Sequence, residues 1–223
     1  MTFEEYAAAW SRLHGGFDPR QSSAVVRGWV LTAYRIGSWL GDRRVGPAAV
    51  TIAGVVLCLA VPLAALLGPG GLLLGAVLVL LAAFADGLDG AVAVVTGRVS
   101  RLGYVYDSVA DRVGEAAWLA TFSVAGAPGW LVVAAGGTSW LHEYARARAT
   151  AAGMTEIGAV TVGERPTRVS IAITGLLLTG LTGFVRNGWQ GDVITAATAA
   201  WLALAVVGLG QLAAAIHRQL SGN

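Results

Sequence analysis

Lysine is missing from this chain: all fifteen basic residues are arginine. Cysteine occurs once, at Cys58 inside an apolar run, which excludes a disulfide or a cysteine metal centre within one chain and leaves thiol redox chemistry without support. Charge is scarce too, at 13% of 223 residues against 56% hydrophobic ones. That balance excludes an ordinary soluble domain and indicates a polytopic membrane protein. The N-terminus, MTFEEYAAAWSRLHGG, opens with two acids and lacks a basic-then-apolar stretch ending in small residues, so it does not read as a signal peptide. Internal repeats with periods of about 20 to 50 residues are absent as well. Arginine without lysine, among abundant Ala, Gly, Val and Leu, is the signature of GC-rich coding and points to a high-GC bacterium.

What the chain does hold is six apolar segments, near residues 46–67, 72–96, 104–126, 129–150, 168–186 and 192–215. Each is close to the roughly 20 residues a helix needs to cross a bilayer core. Gly and Pro punctuate most of the breaks between them, as turns require. Arginine alternates from loop to loop: Arg43 and Arg44 precede the first segment, Arg98 and Arg101 lie in the second loop, Arg146, Arg148, Arg165 and Arg168 flank the fourth, and Arg218 follows the last. The first and third loops have none, and the fifth has only Arg186. Basic loops stay cytoplasmic, so this pattern predicts six transmembrane helices in a plasma membrane with both termini inside.

Ahead of the first span, SSAVVRGWVLTAYRIGSWLGDRR sets Arg27 and Arg35 among Val, Trp, Leu and Tyr. It reads as an amphipathic helix in the cytoplasmic interface, anchored by Trp29, Tyr34 and Trp39. The expected fold is therefore all-α and integral to the membrane. Residues 1–45 form an interfacial segment, 46–216 a six-helix membrane domain and 217–223 a cytoplasmic tail.

Four aspartates stand out in this apolar chain. Asp86 and Asp89 are three apart, and Asp107 and Asp111 four apart, so on helices each pair shares a face. By the arginine count all four lie at the cytoplasmic ends of the second and third spans. Carboxylates crowded there repel one another and lose hydration, and nearby arginines are too few to neutralise them. A cation between them resolves the conflict. With no His or Cys close by in sequence, the oxygen-only ligand set selects hard ions such as Mg²⁺, Mn²⁺ or Ca²⁺, and two ions shared by four carboxylates is the economical arrangement. Glycines in membrane helices commonly serve helix packing, but Gly87, Gly90, Gly97 and Gly103 interleave with the acids, which favours close approach of a ligand.

Read as a pattern, Asp86-x2-Asp89-Gly90-x2-Ala93 followed by Gly103-x3-Asp107-x3-Asp111 resembles the signature of the CDP-alcohol phosphotransferases, DxxDGxxAR then GxxxDxxxD. Seven of its eight fixed positions match; the eighth, an arginine, is Val94 here. VGPAAVT (45–51) is similar to the family's opening of the first span. YARARATAAGM and GERPTRV resemble the cytoplasmic loop of actinobacterial phosphatidylinositol-phosphate synthases. The resemblance implies transfer of a substituted phosphate from a CDP-alcohol, usually CDP-diacylglycerol, to the hydroxyl of a second alcohol with release of CMP. It implies two divalent ions, Mg²⁺ or Mn²⁺, held by Asp86, Asp89, Asp107 and Asp111, with Asp111 also the general base. It places the nucleotide against Ala48, Ala49, Val50, Thr51, Asp86, Gly90 and Ser100.

Arg146, Arg148, Arg165 and Arg168 are expected to bind the phosphate of the acceptor, because converging guanidiniums hold phosphate in bidentate fashion. The bland alternative is topological, with these residues contacting anionic headgroups. Gln211 stands near where the inositol-phosphate enzymes carry a further basic residue, which leaves inositol phosphate, glycerol phosphate and other polyols open as acceptors. His142 with Glu143 is a weaker candidate base and orienting acid. Glu115 extends the acidic face and is expected either to support a metal ligand or to pair with Arg112 or Arg146. The expected partners are a CDP-alcohol, a polar alcohol, membrane lipids and a second copy of the chain; nucleic acid is not among them. Two alternatives stand beside the transferase: a divalent-cation transporter and a catalytically silent family member.

Overall fold

The computed structural model describes residues 1–13, 18–154, 160–186 and 188–221. His14 and the Thr155–Ala159 stretch of the fourth loop lie outside them. Within these residues the chain is helical, with no strand: α1 (Phe3–Leu13), α2 (Ala24–Asp42), α3 (Pro47–Ala65), α4 (Pro69–Val95), α5 (Arg101–Val124), α6 (Gly129–Ala151), α7 (Arg165–Val185) and α8 (Gln190–Leu220), plus a single 3₁₀ turn at Pro19–Gln21.

Every expected span forms as a helix, α3 to α8, within a few residues of the expected ends. Four of them, α3, α4, α7 and α8, are long and apolar enough to cross a bilayer. The other two depart for a physical reason: α5 carries Asp107, Asp111, Arg112 and Glu115, and α6 carries His142, Glu143, Arg146 and Arg148. The helix starts follow local chemistry. Pro47 and Pro69 open α3 and α4, and Pro166 stands in the first turn of α7, where a missing N–H costs nothing.

Helix α1 was not foreseen. Its signal was present in Thr2-x2-Glu5: the Thr2 N–H donates to Glu5 Oε2 at 2.8 Å, and the Glu5 N–H donates to Thr2 Oγ1 at 3.3 Å, a reciprocal capping box.

The chain forms two compact units, one of residues 1–56 and 81–111, the other of 57–80 and 112–223. In the first, Tyr6, Val30, Ala33, Val50, Leu88, Ala91, Val92 and Val94 make the core. Phe3, Tyr6 and Tyr34 stack around it at 5.2 to 6.4 Å, and Tyr34 donates its hydroxyl proton to the Met1 carbonyl. Burial pushes the Tyr6 phenol up to about 12. Helix α2 runs beside the second half of α4, with Trp29 edge-on to Phe84 at 5.1 Å and Gly37 against Ala91. A Cβ on Gly37 would stand 3.3 Å from Ala91, so the two backbones approach closely because that side chain is absent.

The second unit packs α8 against α6 and α7 around Trp118, Phe122, Leu176, Ile194, Trp201 and Leu212, all fully buried. Trp201 meets Phe122 edge-on at 6.0 Å, and its indole N–H donates to Ser139 Oγ at 2.9 Å. Many large apolar side chains face outward, among them Leu66, Leu67, Val133 and Phe184, as suits helices surrounded by lipid.

Candidate metal centre and active site

Asp86 and Asp89 come from the second half of α4, Asp107 and Asp111 from the first half of α5. One carboxylate oxygen from each of Asp86, Asp107 and Asp111 lies within 4.8 Å of the other two. Three half-buried carboxylates at that separation repel strongly when ionised, and a hard divalent ion would relieve them. The donor set fits Mg²⁺ or Mn²⁺.

Asp89 is placed differently. It is nearly buried and accepts a hydrogen bond from Thr51 Oγ1 at 2.5 Å, while the same hydroxyl lies 3.2 Å from the Pro47 carbonyl one turn back. The structure thus gathers three of the four aspartates into one group and ties the fourth to α3. Thr51 had been expected beside the nucleotide, not as the partner of an acid.

The remaining nucleotide candidates lie in the same unit as this group. Ala48 and Ala49 are exposed on the first turn of α3, and Val50 turns into the core. Gly90 faces open space: a Cβ there would meet nothing within 4 Å. Ser100 caps α5, its Oγ accepting from the Gly103 N–H at 3.0 Å. Val94, at the signature's arginine position, is buried in the apolar core formed with α1 and α2.

The second unit answers the expectations about the basic cluster residue by residue. Arg168, only 2% exposed, lies between two acids: its Nε is 3.2 Å from Glu115 Oε1, its Nη1 donates to Glu115 Oε2 at 3.3 Å, and its Nη2 donates to Glu143. Arg112 joins the same network, 3.0 Å from Glu115 and 3.6 Å from Glu143. Of the two partners foreseen for Glu115, Arg112 is present, and Arg168 takes the place given to Arg146. Arg146 instead donates to Glu164, whose Oε1 also accepts from the N–H and the hydroxyl of Thr161. His142 is buried, with Nε2 2.9 Å from Thr161 Oγ1, so it braces the segment before α7. Arg148 is exposed on the last turn of α6, and Arg165 is half-buried at the start of α7. Gln211 accepts from the Val162 N–H at 2.9 Å and pins the same segment to α8. Sequence reasoning missed the roles of Thr161 and Glu164. The available signal for Glu164 was an acid next to Arg165 just ahead of α7; Thr161 carried none.

The CDP-alcohol phosphatidyltransferase family model matches residues 44–209. The archaetidylinositol phosphate synthase of Pyrococcus horikoshii is 32% identical over 140 residues, 61% of this chain and 72% of that protein. The phosphatidylinositol phosphate synthase of Mycobacteroides abscessus is 36% identical over 178 residues, 77% of this chain and 76% of that protein. The crystal structure of Mycobacterium tuberculosis phosphatidylinositol phosphate synthase with CDP-DAG bound aligns at a TM-score of 0.67 and 26% identity, covering 83% of this chain and 93% of that one. The structure of that enzyme with manganese and citrate aligns at 0.66 and 24% identity, covering 82% of this chain and 88% of that one.

Proposed function

Because the chain belongs to the CDP-alcohol phosphatidyltransferase family, it is a transferase of phospholipid synthesis, and we propose that it moves the phosphatidyl group of CDP-diacylglycerol onto a hydroxyl of inositol phosphate. The observation that carries this reading is the meeting of Asp86, Asp107 and Asp111 at the signature's spacing. The donor is supported by the solved relative that holds CDP-DAG, and the acceptor by relatives named for inositol phosphate products. Two divalent ions, Mg²⁺ or Mn²⁺, held by Asp86, Asp89, Asp107 and Asp111 would supply the positive charge that neutralises the diphosphate.

The chain's own residues perform the rest. Asp111 takes the proton from the acceptor hydroxyl, whose oxygen then attacks the phosphorus that bears the diacylglycerol. The bond from that phosphorus to the CMP oxygen breaks, and CMP leaves. Ala48 and Ala49 with Gly90 leave room for the nucleotide, and Thr51, Asp86 and Ser100 border it. Thr51 fixes the orientation of Asp89 through its hydrogen bond. Arg148 and Arg165 are the direct ligands of the acceptor phosphate, with Arg146 and Arg168 holding the local fold through Glu164, Glu115 and Glu143.

We further propose that α3 to α8 all cross the membrane within a 46–216 domain, with both termini and the aspartates on the cytoplasmic side. Exposed Trp29 and Trp39 of α2 then sit at headgroup level. A homodimer is part of the same reading, supported by small residues such as Ala116, Ala120 and Gly137 on outward helix faces.

The test is Mg²⁺- or Mn²⁺-dependent release of CMP from CDP-diacylglycerol by the purified protein. It is run with inositol phosphate, glycerol phosphate or no acceptor, and Asp111→Asn serves as control. Release that depends on inositol phosphate supports the proposal. Release with another acceptor reassigns the substrate, and equal release by the mutant removes Asp111 from its role.

A further inference from the structure

Helices α2 and α4 stop side by side. Thr96 Cγ2 lies 3.0 Å from where a Cβ on Gly41 would stand, one turn beyond the Gly37–Ala91 contact. Both helices end in the same hydrogen-bonded cap. In α2 the Val45 N–H donates to the Leu40 carbonyl and the Arg44 N–H to that of Gly41, at 3.0 and 2.9 Å; in α4 the Arg98 N–H donates to Ala93 and the Gly97 N–H to Val94, at 2.8 and 3.2 Å. Such a cap places one residue in the left-handed region. In α4 that residue is Gly97, with φ +66°, but in α2 it is Arg44, with φ +60°, the one non-glycine residue of positive φ among those described.

Glycine is the unstrained choice there, and an arginine is retained at a cost in stability. Its neighbours suggest what that cost serves. Two residues on, Gly46 has the Arg98 guanidinium against it, with Nη1 3.4 Å from the place of a Cβ. Arg44 and Arg98 are both exposed, and among the described residues neither makes an ion pair or a side-chain hydrogen bond. The paired caps therefore set the Arg98 guanidinium against Gly46 and leave Arg44 exposed just ahead of α3, both uncommitted and both in the unit that holds the three-carboxylate group. Val94, buried in the apolar core, cannot supply a cation.

We propose that Arg44 and Arg98 form a cationic clamp on the diphosphate of the CDP-alcohol donor, replacing the arginine that the signature places at position 94. The clamp rests on the transferase reading above. It fits the chemistry of the ligand: a diphosphate offers several anionic oxygens to two forked guanidiniums, and CMP offers a single phosphate.

The test measures binding of CDP and of CMP, with MnCl₂ present, to the purified protein in neutral detergent. Wild type is compared with Arg44→Gly, Arg98→Ala and the double variant. Each single change is expected to weaken CDP binding by about tenfold and CMP binding by clearly less, with Mn²⁺ affinity unchanged. Arg44→Gly should at the same time raise the melting temperature, since glycine relaxes the cap. A gain in stability with a loss of CDP affinity is what a merely structural role would not produce. Unchanged CDP affinity in the double variant overturns the clamp. A wild type that neither binds CDP nor releases CMP from CDP-diacylglycerol overturns the transferase reading itself, and the wild-type arm shows that separately.

Discussion

Arg168 and Glu115 are the least exposed charged side chains among the described residues, and they face each other, with Nε 3.2 Å from Oε1 and Nη1 3.3 Å from Oε2. Arg168 comes from α7 and Glu115 from α5, and Glu143 of α6 closes the arrangement. Three helices of one unit are thereby joined through a buried Arg168–Glu115 pair and the partly exposed Glu143. A buried pair of this kind adds little net stability, yet removing one partner strands the other without hydration.

Arg168→Ala is accordingly expected to destabilise the protein by about 3–5 kcal/mol, read as a lower melting temperature in detergent. Replacing Arg168 and Glu115 together by Met and Gln should cost clearly less, because the charge removed is balanced and Arg112 keeps Glu143, 3.6 Å away, as its partner. If Arg168 acted chiefly as a phosphate ligand, the single variant would melt normally and lose only affinity for the acceptor.

The carboxylate group gives a second prediction. Asp86→Asn, Asp107→Asn and Asp111→Asn each remove the negative charge of one of the three carboxylates whose oxygens lie within 4.8 Å of one another. Each should weaken Mn²⁺ binding, followed by the loss of the free-ion electron paramagnetic resonance signal, and lower CMP release by about a hundredfold or more. Chelation should abolish release in the wild type, and added Mg²⁺ or Mn²⁺ should restore it. A variant that binds Mn²⁺ as the wild type does removes that aspartate from the centre.

Much of this was legible in advance, and the parts that were not share a cause. Runs of apolar residues bounded by Gly and Pro located α3 to α8, because spanning length and turn chemistry are local properties. The aspartate spacing was equally local, since three- and four-residue steps fix a helix face. Long-range pairing was not legible: nothing in the segment around Thr51 says that its hydroxyl reaches Asp89, 38 residues away. Nor does the RPTR stretch reveal that Arg168 turns inward to Glu115 while Arg165 stays half-buried. Both depend on how helices pack. Helix α1 was missed although its capping box is local, because an apolar-span search passes over a short polar-faced helix.

Thr51 offers a third prediction. Thr51→Val keeps the shape but removes the hydrogen bond to nearly buried Asp89, a loss of about 1–3 kcal/mol for a buried acceptor left unsatisfied. Thr51→Ser retains the hydroxyl and should retain most of the activity. The expected readout is a fall in kcat/KM for the CDP-alcohol in the Val variant alone. Equal activity in both variants would leave the Thr51–Asp89 contact without a functional role.

The membrane arrangement supplies the last prediction. Charge in α5 and α6 is what separates four clearly apolar helices from the six-span reading, and both helices carry that charge toward one end: Asp107 to Glu115 ahead of the uncharged 116–124 stretch of α5, His142 to Arg148 in the second half of α6. If both helices span, as proposed, consecutive antiparallel spans would bring those two ends to the same side of a bilayer, and the rest of each helix would stay apolar. Single cysteines introduced for Leu67, Val99, Trp130 and Val160, all exposed, in a Cys58→Ser background test this directly. In intact cells a membrane-impermeant maleimide should label positions 67 and 130 and spare 99 and 160, and permeabilised cells should show all four. Crossing by only α3, α4, α7 and α8 would leave positions 99 and 130 on the same side, labelled alike, because neither α5 nor α6 would then carry the chain across.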